Sequence, residues 1–304
     1  MKKFYSIVFL FSLLLVSFQK ETLAQTAPIP VILDADTGNE VDDLYAVARA
    51  LIEPSWNILA LNATHWQTSH WAIPQTMENS YRLNQVLVGE MGVDVKTRRG
   101  GIARMFDWGD LAQHSAAAYE IIQQTKTLPD GEQLAVVALG ALTNVASAIY
   151  IDPTIESKLK LYWLGSTYDF DKEIFKRQDF NCVMDVQALE ILLNSTVEMH
   201  IIPVNIAAQM TFDRAEVNEK LKGQHTLGDF LSDRWFQHLD GSRRRRVIWD
   251  LALIQAVIYP DWATEVEVKL SKENGDRTVF FYKDIQAESM RQEFYEKIAQ
   301  HFEK

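Results

Sequence analysis

The chain has 304 residues, 47% of them apolar and 23% charged, which is enough for a large core in one or two globular domains. Its formal net charge of -11 and sequence pI near 5.1 argue against polymeric nucleic acid as a partner, because binding it requires a concentrated basic face. Cys182 is the only cysteine, so neither an intrachain disulfide nor a cysteine-rich metal site is possible.

In chain order, Lys2 and Lys3 precede an apolar stretch from Ile7 to Val16, and Thr22-Leu23-Ala24 supplies small residues for cleavage. Residues 1–24 therefore read as a secretory signal, too short to span a membrane comfortably, and residues 25–304 as a single domain. A periplasmic or secreted location follows as an expectation, with no membrane span in the mature protein. Short apolar runs then alternate with segments of helical spacing. The strand candidates are Val31–Leu33, Ile58–Asn62, Leu134–Leu139, Leu159–Leu164 and Met199–Val204. Helices are predicted around Leu44, Val47, Ala48 and Leu51, and over Gln75–Leu87, Leu111–Thr125, Asn144–Ile149 and Val186–Leu193. This order predicts an α/β fold with an open, mostly parallel, doubly wound sheet flanked by helices. Val266–Leu270 and Thr278–Tyr282 flank an Asn-Gly and predict an edge hairpin, and a closing helix is expected from Glu288.

The first strand hands over to its helix in VILDADTGNEVDDLYAVARAL, residues 31–51, with four aspartates at the junction. Capping accounts for Asp42 or Asp43 but for neither Asp34 nor Asp36. Four carboxylates tolerate one another where a cation offsets their repulsion, and oxygen donors without Cys or His favour calcium or magnesium over zinc. In RRRRVIWDLALI, Asp250 opens another apolar run, and Arg243 to Arg246 read as a solvated or salt-bridging run. DFNCVMD places Asp179 and Asn181 on one side of an extended segment, or in a polar turn before a helix near Asp185. The loop NATHWQTSHW reads either as an aromatic surface loop or as a pocket wall. In the second case Asn62 or His65 reaches the substrate, Trp66 or Trp71 stacks on it, and His65 and His70 are candidate proton donors.

Taken in order, these segments resemble the inosine-uridine preferring nucleoside hydrolases. The Asp-rich opening, the run Gly140-Ala141-Leu142-Thr143-Asn144, the segment Asp179-Phe180-Asn181 and the late Asp250 match that family's motifs over about residues 30 to 255. The resemblance implies calcium-dependent hydrolysis of the N-glycosidic bond of ribonucleosides to ribose and free base. It implies one calcium ion held by Asp36, Asp43, Asp250 and a backbone carbonyl near Leu142 or Thr143, with water and the ribose hydroxyls completing the sphere. Asp36 would be the general base, Asp42 would bind a sugar hydroxyl, and Asp179 and Asn181 would hold the far side of the sugar.

Cleavage of an N-glycosidic bond builds positive charge on the sugar, which a carboxylate-lined pocket stabilises. Three departures stand out: a longer loop between Asp36 and Asp43, Trp249 where the best-known members carry a histidine, and Asp179 in place of a glutamate. Two other functions fit less of the chain. A nucleoside- or sugar-binding protein of the same fold without efficient turnover accommodates the departures. A phosphohydrolase of the haloacid-dehalogenase type accounts for LDADTG but leaves Asp42 and Asp43 idle. The expected partner is a small-molecule nucleoside or riboside, and a homo-oligomer stays open.

Overall fold

A computed structural model describes residues 27–106, 111–237 and 241–303. The signal-like residues 1–24 lie outside that range. In chain order the elements are β1 (Ile29–Ala35), α1 (Asp42–Ala50), β2 (Trp56–Ala63), α2 (Thr76–Met91), β3 (Thr97–Arg98), α3 (Ala116–Thr127), β4 (Leu134–Ala138) and α4 (Thr143–Ile151). Then follow β5 (Leu159–Leu164), β6 (Thr167–Asp169), β7 (Ile174–Lys176), α5 (Phe180–Met184), α6 (Val186–Leu193), β8 (Glu198–Ile202), α7 (Val204–Ala207) and β9 (Thr211–Asp213). The last are α8 (Arg214–Lys220), α9 (Thr226–Gln237), β10 (Arg245–Val247), α10 (Trp249–Ile258), β11 (Ala263–Lys269), β12 (Thr278–Ile285) and α11 (Ala287–Phe302).

Eight strands form the main sheet in the order β11-β12-β8-β5-β4-β1-β2-β3. Every pairing in it is parallel except the β11–β12 hairpin at one edge. The strands are covered on both faces, so alternate residues enter two separate cores. From β1, Val31, Leu33 and Ala35 join the core under α1, α10 and α11, whereas Ile32 joins the one under α3, α4 and α6. This is why the strands read as continuous apolar runs.

The chain leaves β1 towards β2 and β3 and returns through β4 on β1's other side. That reversal makes the carboxyl ends of β1 and β4 a topological switch point, where open α/β sheets leave a crevice. Asp34 is the penultimate residue of β1 and Asp36 follows the strand there, and Leu139 to Thr143 follow β4. Helix α1 is buried on every side. Its polar residues Asp42, Asp43 and Arg49 therefore need partners inside the protein, and this requirement organises the site.

Candidate active site

The loop after β1 is pinned before it reaches α1. The Thr37 hydroxyl donates to Asn84 Oδ1 (2.8 Å) and to the Ser80 carbonyl (3.0 Å), both on α2. A Cβ on Gly38 would lie 2.2 Å from Asn79 Oδ1 and 3.1 Å from the Ser80 amide nitrogen, so the loop runs close against α2 at this glycine, without a left-handed turn. The loop returns so that the Asp36 amide donates to Asp43 Oδ1 at 3.1 Å. Val41 is the residue before α1 and has no capping side chain, so neither aspartate acts as the N-cap.

Helix α10 packs beside α1 and begins at the same end, which brings Asp250 to Asp42 and Asp43. These three buried side chains place carboxylate oxygens within 4.8 Å of one another. Residues more than two hundred positions apart thus share one locus. Asp36 lies beside this group through its hydrogen bond to Asp43, and the tight trio contains Asp42 where the sequence suggested Asp36. Across the crevice, a Cβ on Gly140 would sit 2.5 Å from Asp36 Oδ1, so the turn after β4 also requires glycine to admit that carboxylate.

Burial and mutual repulsion drive these carboxyls towards the protonated form. Asp36, Asp43 and Asp250 are raised well above the usual carboxylate range, by desolvation first and then by their neighbours' charge. Asp42 is pushed up to about 7 by burial and by Glu40, while hydrogen bonds from Asp250 and the backbone pull it down. Asp36 Oδ2 and Asp250 Oδ1 are buried without a hydrogen-bond partner among the described residues. Hard carboxylate oxygens, shielded and uncompensated, fit a divalent cation.

A cavity of about 300 Å³ opens over the cluster. Asp36, Glu40, Asp42, Asp43, Asp179 and Asp250 contribute its carboxyl groups, and Trp71, Phe180 and Trp249 its aromatic wall. Trp71 stacks on Phe180 with ring centroids 5.3 Å apart and 20° between planes. Its indole N–H donates to Asn39 Oδ1 at 3.0 Å. Asn39 and Glu40 were not singled out in the sequence. The only signal for them was the extra length of the loop between Asp36 and Asp43.

Asn181 is anchored by its amide, which donates to the carbonyls of Leu139 (2.7 Å) and Leu164 (2.9 Å). This fixes Nδ2 inward and leaves Oδ1 as the acceptor for a ligand. Asp179 caps α5 by accepting from the Asn181 amide at 2.9 Å, and it also accepts from the Ser166 amide. Burial raises its pKa despite these bonds.

The remaining sequence candidates fall elsewhere. Leu142 and Thr143 do not line the cavity. The Leu142 carbonyl accepts from the Ala146 amide, and the Thr143 hydroxyl bonds Asp185 at 2.6 Å. Leu139, at the end of β4, is the residue of this turn that lines the cavity. His65 is fully buried off the cavity with Nε2 2.9 Å from Thr143 Oγ1, and burial lowers its pKa to about 4. It is a neutral ring inside the fold, which removes it from the candidate proton donors and from the sugar contacts. Asn62 is buried opposite Asp34 in the β1–β2 register and does not line the cavity either. Asp34 is the structural member of the quartet: its Oδ1 accepts from Asn144 Nδ2 at 2.8 Å, and burial raises it to about 7. Trp163 and Tyr168 pack in the core, and Trp66 is buried and packs with Trp71. Cys182 is buried, its thiol held protonated by burial and by Asp179. Of the run Arg243 to Arg246, Arg244 and Arg245 pair with Asp213 as expected, whereas Arg246 is buried over the Trp235 ring.

A buried carboxylate cluster that fits a divalent cation, set beneath a small-molecule cavity at a sheet's switch point, has the make-up of a metal-assisted enzyme site. Residues 31–300 match the family model described as inosine-uridine preferring nucleoside hydrolase, and the chain belongs to that family. Probable uridine nucleosidase 1 of Oryza sativa subsp. japonica is 28% identical over 265 residues, covering 77% of this chain and 78% of its own. A purine-preferring ribonucleoside hydrolase from Gardnerella vaginalis superposes with a TM-score of 0.69 at 18% identity, over 90% of this chain and 98% of its own. The type III effector protein XopQ, complexed with adenosine diphosphate ribose, gives 0.69 at 12% identity over 91% and 95%. At that identity these two structures show the shared fold.

Proposed function

We propose that this glycosidase hydrolyses ribonucleosides to ribose and free base, and that its divalent cation is calcium. The observation that carries the reading is the convergence of Asp42, Asp43 and Asp250 in one buried cluster under a cavity of nucleoside-compatible size. The names of the related proteins, a uridine nucleosidase and a purine-preferring ribonucleoside hydrolase among them, support the substrate class. All-oxygen donors support calcium over zinc.

Asp43 and Asp250 would hold the ion with Asp36, whose unpartnered Oδ2 favours this role. Asp42, already bonded to Asp250, would turn to a sugar hydroxyl. The turn after β4 would supply any backbone contribution, Leu139 being the residue of that turn that lines the cavity. When bound, the ion supplies positive charge that lowers the pKa of water and offsets the carboxylates.

Asp36, beside the ion, accepts the proton of the attacking water as general base. Asn181 Oδ1 and Asp179 orient the sugar from the opposite side, and Trp71 and Trp249 exclude water from the leaving group's side. The carboxylate ring stabilises the positive charge that develops on the sugar as the bond to nitrogen breaks.

Purified protein supplied with calcium should release reducing sugar from inosine or uridine, and a chelator should abolish release. Absence of release from every riboside tried would refute the reading. Residues 1–24 support a periplasmic or secreted protein. N-terminal sequencing of the mature protein should then begin at Gln25, and an intact Met1 would contradict it.

A further inference from the structure

Resting on that glycosidase reading, we propose that His65, Thr143 and Asp185 are positioning residues: their buried bridge sets the aromatic wall of the cavity, and through it the grip on the leaving group. Trp71 and Phe180 stack on one another and line the cavity. Among the described residues they pack on a small separate cluster of Trp66, Ala141 and Met184, and on neither of the two main cores. The placement of the wall therefore depends on the segments that carry it. These are the loop after β2 for Trp71 and the five-residue α5 for Phe180.

The bridge joins those two segments. The Thr143 hydroxyl, at the start of α4, donates to Asp185 Oδ2 at 2.6 Å. Its single proton is used there, so its oxygen accepts from His65 Nε2 at 2.9 Å. The imidazole then carries its hydrogen on Nε2, and Nδ1 accepts from the Gln67 amide of the same loop at 3.4 Å. Asp185 directly follows α5 and caps α6 by accepting from the Ala188 amide, which fixes the end of the helix that carries Phe180. The Met105 amide holds the same carboxylate at 2.9 Å.

A second, more exposed link repeats the connection: the Thr68 hydroxyl donates to the Met184 carbonyl at 3.1 Å. Asn39 holds the Trp71 ring by its N–H, whereas these two links hold the backbone from which Trp71 and Phe180 project. None of the bridge's bonds involves Asp42, Asp43 or Asp250. The wall flanks the leaving group in the bound substrate and in the transition state alike. Loosening it removes binding common to both, which raises KM and spares kcat.

Steady-state kinetics with inosine on the calcium-loaded protein test this in the wild type, Thr143→Val, Thr143→Ser and Thr68→Val. Thr143→Val keeps the shape and loses the hydroxyl. It should raise KM about ten-fold while kcat and calcium affinity stay within about two-fold. Thr143→Ser restores the hydroxyl and should bring KM back to within about two-fold of the wild type. Thr68→Val should raise KM about three-fold. The near-UV circular dichroism should weaken in Thr143→Val and recover in Thr143→Ser. An unchanged KM in both valine variants, a loss confined to kcat, or no rescue by serine overturns the proposal and leaves the glycosidase reading intact. If Thr143→Val does not fold, Thr68→Val decides alone. Wild-type protein that releases no ribose overturns the glycosidase reading, and the dichroism then tests the bridge by itself: a spectrum unchanged in Thr143→Val overturns it.

Discussion

Helices α1 and α10 bury charge at both of their ends, and the two ends treat it in opposite ways. At their carboxyl ends Arg49 is fully buried and paired with Glu53 (2.9 Å) and with Glu293 of α11 (2.6 Å). Glu293 also accepts from Gln255 Nε2 and Tyr259 Oη, each at 2.6 Å, so a single carboxylate ties α1, α10 and α11 together. At the amino ends Asp42, Asp43 and Asp250 are equally buried and crowd one another. The scaffold can neutralise an interior charge, as Arg49 demonstrates. Leaving the other end uncompensated marks it as the place where charge is used, and the clamp at the far end keeps the repelling helix starts from separating.

Neutralising the acidic end should have the largest effect. Asp250→Asn or Asp43→Asn should lower kcat by ~10³-fold or more in nucleoside hydrolysis. The same substitutions should raise the Tm of the metal-free protein, because they remove repulsion. Breaking the compensated end should do the reverse. Arg49→Met leaves Glu293 and Glu53 without their cation and should cost ~3–5 kcal/mol in urea unfolding. Calcium at a hundred times the wild-type Kd should add ~2.7 kcal/mol to the wild type and at most ~0.4 kcal/mol to Asp250→Asn, which a thermal-shift titration would check.

The smallest effect is the pH dependence. Asp34 and Asp42 titrate near 7 in the folded protein against an unfolded value of 3.8. The folded state therefore holds more protons, and their contribution is lost as pH rises through about 7. Buried His65, lowered to about 4, contributes in the opposite sense below its unfolded value of 6.5. Between pH 6.5 and 8 the metal-free Tm should fall, and calcium should shrink that fall. A metal-free Tm that rises over this interval would contradict the raised carboxyls.

Much of the frame was legible because both sheet faces are buried and the strands are correspondingly apolar. All five predicted strands of the parallel sheet, its edge hairpin and the closing helix appear close to their expected bounds. Residues 204–247 were not resolved into elements from sequence. Their strands β9 and β10 span only three residues each, too short to set up an alternation. Helix α3 begins at Ala116 rather than Leu111, where Ser115 supplies the cap by accepting from the Ala118 amide.

In the site, carboxylates were visible because an acid at a strand end is costly unless it has a task. Which acid does what was less visible. Asp34 belongs to an Asn144 bridge, and no local pattern separates it from Asp36 two residues on. Leu142 and Thr143 read as carbonyl donors from their place after β4, yet neither lines the cavity and Leu139 of the same turn does. His65 read as a ligand-reaching residue because its loop is aromatic and polar, yet its imidazole completes a buried link to Thr143.

Calorimetric titration of the metal-free protein with calcium tests the account most directly, carried out on the wild type and on Asp43→Asn and Asp250→Asn. The account predicts one ion per wild-type chain and affinity reduced by at least ~100-fold in each variant. Wild-type protein that binds no divalent cation, or variants that bind as the wild type does, would contradict it.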